Sequence, residues 1–198
     1  MPAPDAKALL RAETRARIAA LSPEFRASES QRLCARILAW PVFQRARCIL
    51  LTASLRDELD LSPLIPLAQA LGTRCALPAL DAVHGGYVAR EWSRPLDALP
   101  VGAYGVREPG TDCPVVPFPA LDFILVPGLA FTPSGMRLGR GKGYFDRLLS
   151  HVPNAVTCGV GFDEQVVPTI PVEPHDVALD HLLTPSREFD CRAPGLKT

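Results

Sequence analysis

The sequence predicts an α/β fold in one domain, built on a mainly parallel sheet. Four apolar runs, "ARCILLTAS", "RCALPAL", "LDFILVPGLAF" and "NAVTCGVGF", read as strands. Their hydrophobicity is continuous rather than alternating, as expected for strands covered on both faces. Segments of helical character are interspersed with these runs, which is the pattern of a parallel sheet with crossover helices. The 198 residues suffice for one domain with a substantial core and are too few for two complete ones. No internal repeat or long linker divides the chain, and residues after about 185 read as a tail.

Residues 4–20 read as a helix, with Leu9, Leu10, Ile18 and Leu21 toward one side. Lys7, Arg11 and Arg15 are spaced by four and stack along one stripe of it. On spacing alone that stripe is a solvated face. "SPEFRASESQRLCARILAW" signals a second helix, with Ser22 as its start and Pro23 at the first helical position. "LSPLIPLAQALG", after the first strand, reads as a helix closed by Gly72. "LDFILVPGLAF" is the strongest strand, and Pro127 with Gly128 marks its exit. Ligands of such folds bind beyond the carboxyl ends of the strands, so the connection after this strand is where a site is expected.

Apolar residues make up 47% of the chain, charged residues 21% and aromatics 7%, a soluble globular composition. The 21 prolines are scattered, as in "CPVVPFPALD" and "VPTIPVEPHD", and indicate ordered, punctuated loops. Equal numbers of basic and acidic residues, 21 each, argue against a nucleic-acid binder with a dominating basic surface while leaving room for a local basic pocket. The six cysteines form no CxxC pair and no zinc spacing, and no signal peptide precedes them. They read as reduced, mostly buried thiols of a cytoplasmic protein. No apolar run is long enough to span a bilayer.

The expected site contains "RLGRGKGYFDRLL". Gly139, Gly141 and Gly143 admit backbone amides close to an anion, "YFDRLL" supplies a helix start, and Arg137, Arg140 and Lys142 add cations. The loop fits neither the Walker pattern nor GxGxxG. By itself it is either a phosphate loop, a solvated basic turn or an RNA contact. Lys142 is one of only three lysines, which favours a compact, mobile ammonium at that place. Asp146 directly after the loop is either a magnesium ligand or a first-turn residue favoured by the helix dipole. Glu58 in "SLRDELDLSPL" is either a solvated charge or a carboxylate accepting paired hydrogen bonds from a heterocycle. His175, Asp176, Asp180 and His181 lack a convincing transition-metal spacing, and the histidines are expected to be partly exposed or bonded to backbone. There is no GxSxG, and Cys158 and Ser134 have no base nearby in sequence.

Taken together, "KALLR", "DELD", "YGVREP", "LDFILVPGLAFTPSGMRLGRGKGYFDRLL", "GVGFDEQVVPTIPVEPHD" and "LLT" resemble the 5-formyltetrahydrofolate cyclo-ligase family, in order and over nearly the whole chain. The resemblance implies a three-layer α/β/α fold and the ATP-dependent cyclisation of 5-formyltetrahydrofolate to 5,10-methenyltetrahydrofolate. A non-catalytic folate- or nucleotide-binding module on the same scaffold is the alternative. By motif matching, ATP would be held by Lys7, Arg11 and the loop formed by Arg137, Leu138, Gly139, Arg140, Gly141, Lys142, Gly143, Tyr144 and Phe145. Arg140 to Tyr144 would also face the folate, with Ala53 and Glu58 lining the pterin end. Lys142, Arg140 and Tyr144 would be catalytic, and Asp146 and Asp176 would hold magnesium. Many members read "LGYGGGYYDR" here, so Phe145 lacks a tyrosine hydroxyl. The resemblance implies small-molecule partners, no nucleic acid or membrane, and a monomer.

Overall fold

All three residues of β1 (Cys48–Leu50) are buried, as are four of the five in β5 (Phe123–Pro127), so both strands are covered on both faces. The computed structural model describes residues 5–55, 57–81, 86–102, 107–141 and 143–192; Lys142 lies outside them. Successive side chains along these strands enter opposite cores. Ile49, Leu51, Phe123 and Leu125 join one cluster, whereas Cys48, Leu50, Ile124 and Val126 join the other. Leu33 and Ile37 of α2 (Pro23–Ala39), Phe43 of α3 (Pro41–Gln44) and Leu64, Ile65 and Ala68 of α4 (Leu64–Ala70) fill the first core. Phe145, Leu148 and Leu149 of α5 (Tyr144–Ser150) fill the second. The result is the expected three-layer α/β/α arrangement.

The sheet also contains β2 (Arg74–Asp81), β3 (Gly86–Glu91), β4 (Val115–Val116), β8 (Val156–Val160), β9 (His181–Leu183) and β10 (Glu188–Asp190), while β6 (Ala130–Phe131) and β7 (Arg137–Leu138) form a separate hairpin. Its eight strands run in the order β10-β9-β8-β5-β1-β2-β3-β4. The five central strands are parallel, and β10, β3 and β4 are antiparallel additions at the edges. The register begins where Asp122 accepts hydrogen bonds from the backbone N–H groups of Arg47 and Cys48, tying the start of β5 to the start of β1.

Several expectations change. In α1 (Ala6–Ala19), Leu9 is exposed, while Lys7, Thr14 and Ile18 are buried. The helix docks with Arg17 donating to the Glu164 carbonyl, which turns the stripe of residues 7, 14 and 18 inward. The basic stripe therefore splits, with Lys7 and Arg11 toward the protein and Arg15 toward solvent. The stretch read as a tail contains β10, fixed by antiparallel pairing to β9 and by Trp40 Nε1 donating to Glu188 Oε1 at 2.8 Å. With only one apolar residue, Phe189, this edge strand has too little pattern to be legible. His181 is buried edge-on against Trp40 rather than exposed or backbone-bonded. Its ring nitrogens make no hydrogen bond among the described residues, and burial lowers its pKa.

All six cysteines are free, and five are buried as expected. Burial pushes the thiols of Cys34 and Cys75 up to about 12. No helix among the described residues is long and apolar enough to cross a membrane.

One buried polar exchange fastens β8 to the start of β9. Asp180 Oδ2 accepts from Thr157 N at 2.9 Å and Oγ1 at 2.8 Å, and Asp180 N donates back to Thr157 Oγ1 at 2.9 Å. Thr157→Val keeps the side-chain shape but removes the hydroxyl from both bonds. Because a buried acceptor left short of a donor costs about 1–3 kcal/mol, urea unfolding of Thr157→Val is expected to show a loss of that size at unchanged m-value.

Candidate functional site

β1 leads into α4 on one face of the sheet, whereas the chain leaving β5 reaches α5 on the other. Their carboxyl ends therefore diverge and open a crevice, the topological switch point at which α/β sheets bind ligands. Thr52 and Ala53 line it from β1, and Pro127 and Gly128 from β5. The crevice has a volume of about 580 Å³, and the glycine loop, α1 and the β2–β3 hairpin complete its walls. Gly128 has to be glycine, since a Cβ there would lie 2.8 Å from the Phe131 ring and 2.9 Å from the Arg137 stem.

The glycine loop is built by β7 and closed by α5. Gly143 caps α5 with φ 59°, and Gly141 adopts φ 102°, a backbone region that L side chains rarely enter. Arg11 Nε donates to the Gly139 carbonyl at 3.0 Å, so α1 grips the loop from one side. From the other side Asp57 and Glu58 grip Arg140. Its Nη2 lies 2.7 Å from Asp57 Oδ1 and 3.0 Å from Glu58 Oε1, and its Nε lies 3.2 Å from that same Glu58 oxygen. Burial works against the charge on Arg140, but the two carboxylates outweigh it and raise the pKa. Burial acts against the Asp57 charge too, and Arg140, with help from Arg15, holds its carboxyl below the ordinary value.

Arg137 and Arg140, the two described cations of the loop, are not equivalent. The Arg137 side chain is only 3% exposed and pairs with Asp146, joining β7 to the first turn of α5. It shapes the wall and neutralises Asp146, where sequence reasoning treated it as one more phosphate contact. Leu138 is buried in a small apolar cluster with Ala130, Val167 and Ile170. Phe145 is buried in the second core, an environment suited to a ring without a hydroxyl. Tyr144 lies against Tyr87 with ring centroids 4.0 Å apart, and its hydroxyl is buried without a hydrogen-bond partner among the described residues. Burial, then Tyr87 and Glu108, push its pKa up, so the phenol keeps its proton.

At the other end of the crevice, Lys7 Nζ stands 2.9 Å from Asp176 Oδ2 and 3.2 Å from Glu173 Oε2. Burial opposes ionisation of both Lys7 and Asp176, yet their pairing raises the lysine and lowers the acid. Glu173, His175 and Asp176 each offer one ligand atom within 4.8 Å of the others. Asp146 lines the same crevice but does not join that group. The donors suit a hard divalent ion, which takes one or two protein carboxylates and completes its shell with phosphate and water.

The structure thus brings Lys7, Arg11, Ala53, Glu58, the described loop residues, Asp146 and Asp176 to one crevice. Sequence reasoning missed Asp57, Tyr87, Glu108 and Glu173 in or beside it. Tyr87 was hidden because "GYVARE" did not register as a strand. Asp57 stands inside "DELD", where Glu58 drew the attention, and Glu108 stands inside "VREP", which by itself reads as a loop.

A sequence model of the 5-formyltetrahydrofolate cyclo-ligase family matches residues 3–185. The chain is 32% identical to 5-formyltetrahydrofolate cyclo-ligase of Mus musculus, over 90% of this chain and 93% of that one. It is also 32% identical to the protein of that name in Escherichia coli strain K12, over 89% of this chain and 98% of the relative. Among solved structures, 5,10-methenyltetrahydrofolate synthetase of Aquifex aeolicus superposes with a TM-score of 0.84 at 31% identity, covering 95% of this chain and 94% of that one. The family match over most of the sequence and the shared architecture agree with the chemistry collected at the switch point: the chain belongs to the 5-formyltetrahydrofolate cyclo-ligase family.

Proposed function

We propose that the protein uses ATP to close 5-formyltetrahydrofolate into 5,10-methenyltetrahydrofolate, releasing ADP and phosphate. The observation that carries this reading is the position of the glycine loop. Arg140 joins it to the Glu58 carboxylate at one end of the crevice, and Lys7 with Asp176 stands at the other. A heterocycle bearing paired N–H donors suits Glu58, and a polyphosphate suits Lys7, Arg11 and the loop amides. The reacting groups would then meet over the glycines.

The formyl oxygen attacks the terminal phosphorus of ATP and ADP leaves. The N10 nitrogen then attacks the formyl carbon and loses its proton, and phosphate departs with the former formyl oxygen. Phosphorylation is needed because an amide-like oxygen is a poor leaving group. Arg140 and Lys142 offset charge on the transferring phosphoryl group. Tyr144, protonated and with a free buried hydroxyl, donates a hydrogen bond to the oxygen being phosphorylated. Magnesium, when bound with ATP, supplies positive charge to the phosphates. Asp176 and Asp146 would hold it, directly or through water, and each would give up part of its pairing with Lys7 or Arg137 to do so.

Free, buried thiols support a reducing compartment, the cytoplasm. Pairing of Lys7, Arg137 and Arg140 with carboxylates favours small ligands over nucleic acid.

With 5-formyltetrahydrofolate, magnesium and ATP, the purified protein is expected to generate the near-ultraviolet absorbance of the methenyl product, and no signal without ATP. A flat trace with folate still bound would instead indicate the non-catalytic module. Lys142→Ala is expected to lower kcat by about 10²-fold and to change folate affinity much less, because its charge acts mainly in the transition state. Comparable loss of binding at unchanged kcat would remove that role. Asp176→Asn is expected to raise the magnesium concentration needed for half-maximal turnover by about tenfold, the scale of one lost charged ligand contact. An unchanged magnesium titration would show that Asp176 serves only as the partner of Lys7.

A further inference from the structure

Glu58 has three hydrogen-bond donors from its own chain. Arg140 Nη2 and Nε reach Oε1 at 3.0 and 3.2 Å, and the Leu55 N–H reaches Oε2 at 3.0 Å. A carboxylate has about four lone-pair sites, so a heterocycle presenting two N–H donors cannot pair fully unless an existing donor leaves. The Leu55 N–H belongs to the turn that carries Glu58 and cannot move independently of it. Arg140 is the donor that can withdraw, because its Nη2 has a second anion, Asp57 Oδ1, at 2.7 Å.

We infer that Asp57 is a positioning residue for folate binding: it retains the Arg140 guanidinium at the mouth of the crevice while Glu58 exchanges Arg140 for the pterin ring. This rests on the folate reading of the site and assigns a role to a residue outside the expected ligand contacts. The Asp57 side chain is 37% exposed and the Glu58 side chain 13%, so the more solvated carboxylate keeps the cation and the more enclosed one is released to the ligand. Arg15 of α1 adds positive potential that keeps Asp57 ionised. Without the Asp57 charge, Glu58 is the remaining anion on Arg140, and the pterin has to separate that pair with nothing to receive the guanidinium.

The test is a double-mutant cycle on 5-formyltetrahydrofolate affinity, measured by calorimetry without ATP on wild type, Asp57→Asn, Arg140→Gln and the double variant. Asp57→Asn is expected to weaken binding about tenfold, equivalent to about 1.4 kcal/mol. In the Arg140→Gln background the same change is expected to alter binding by less than about twofold, since the cation to be retained is gone. Asp57→Glu, which keeps the charge, is expected to recover most of the affinity, and Asp57→Ser repeats the test should the asparagine variant melt early. Wild-type affinity in Asp57→Asn, or an equal loss in both backgrounds, overturns the positioning role while leaving the folate reading intact. Absence of folate binding by the wild type overturns both.

Discussion

Parallel pairing of β1 with β2 on one side and β5 on the other is the constraint on which the rest of this molecule depends. It forces the chain leaving β1 and the chain leaving β5 to opposite faces of the sheet, because each must cover a different core. The space between them cannot be filled by either helix. It is walled by backbone and small side chains from the strand ends, and Gly128 has no room for even one methyl group. Apolar burial thus creates a polar crevice as a by-product of packing, and the loops around it are free to carry chemistry.

Much of the charge that lines the crevice is held in ion pairs among the described residues. Lys7 faces Glu173 and Asp176, Arg137 faces Asp146, and Arg140 faces Asp57 and Glu58. Ions this enclosed would be costly to leave alone, so the pairs are the condition for storing them before a ligand arrives. On the proposed reading, ligand binding is an exchange of partners: phosphate oxygens would take the place of carboxylates around the cations, and heterocycle N–H groups would take the place of guanidinium on Glu58. Exchange of this kind discriminates strongly, since a molecule lacking either end leaves one separated charge unsatisfied.

The sheet was legible where burial on both faces imposes a continuous apolar run, as in β1, β5 and β8, and illegible where the edge leaves one face to solvent, as in β3 and β10. α1 was legible in part: Leu10, Ile18 and Leu21 pack inward as their spacing suggested, but Leu9 is exposed, and Lys7 and Thr14 turn inward because the wall they meet is a crevice and a polar turn. The glycines of the loop announced an unusual backbone, and two of them have positive φ. What no local pattern could reveal is pairing across long sequence separations, such as Arg140 with Asp57 or Lys7 with Asp176. That depends on the topology of the sheet, and spacing within a motif carries no trace of it.

The pair Tyr144 and Phe145 shows how one helix start separates function from packing. Adjacent residues on a helix point about 100° apart, so the two rings take different places although both touch the crevice wall. Phe145 takes the core position, and its ring also lies near the Arg137 guanidinium. Tyr144 faces Tyr87, and its own hydroxyl is buried with no hydrogen-bond partner among the described residues. A buried hydroxyl that lacks an acceptor costs about 1–3 kcal/mol, which a ligand oxygen at that place would recover on the proposed reading. On the folate reading proposed above, a phenol held protonated at that spot would direct an acceptor oxygen toward the glycine loop.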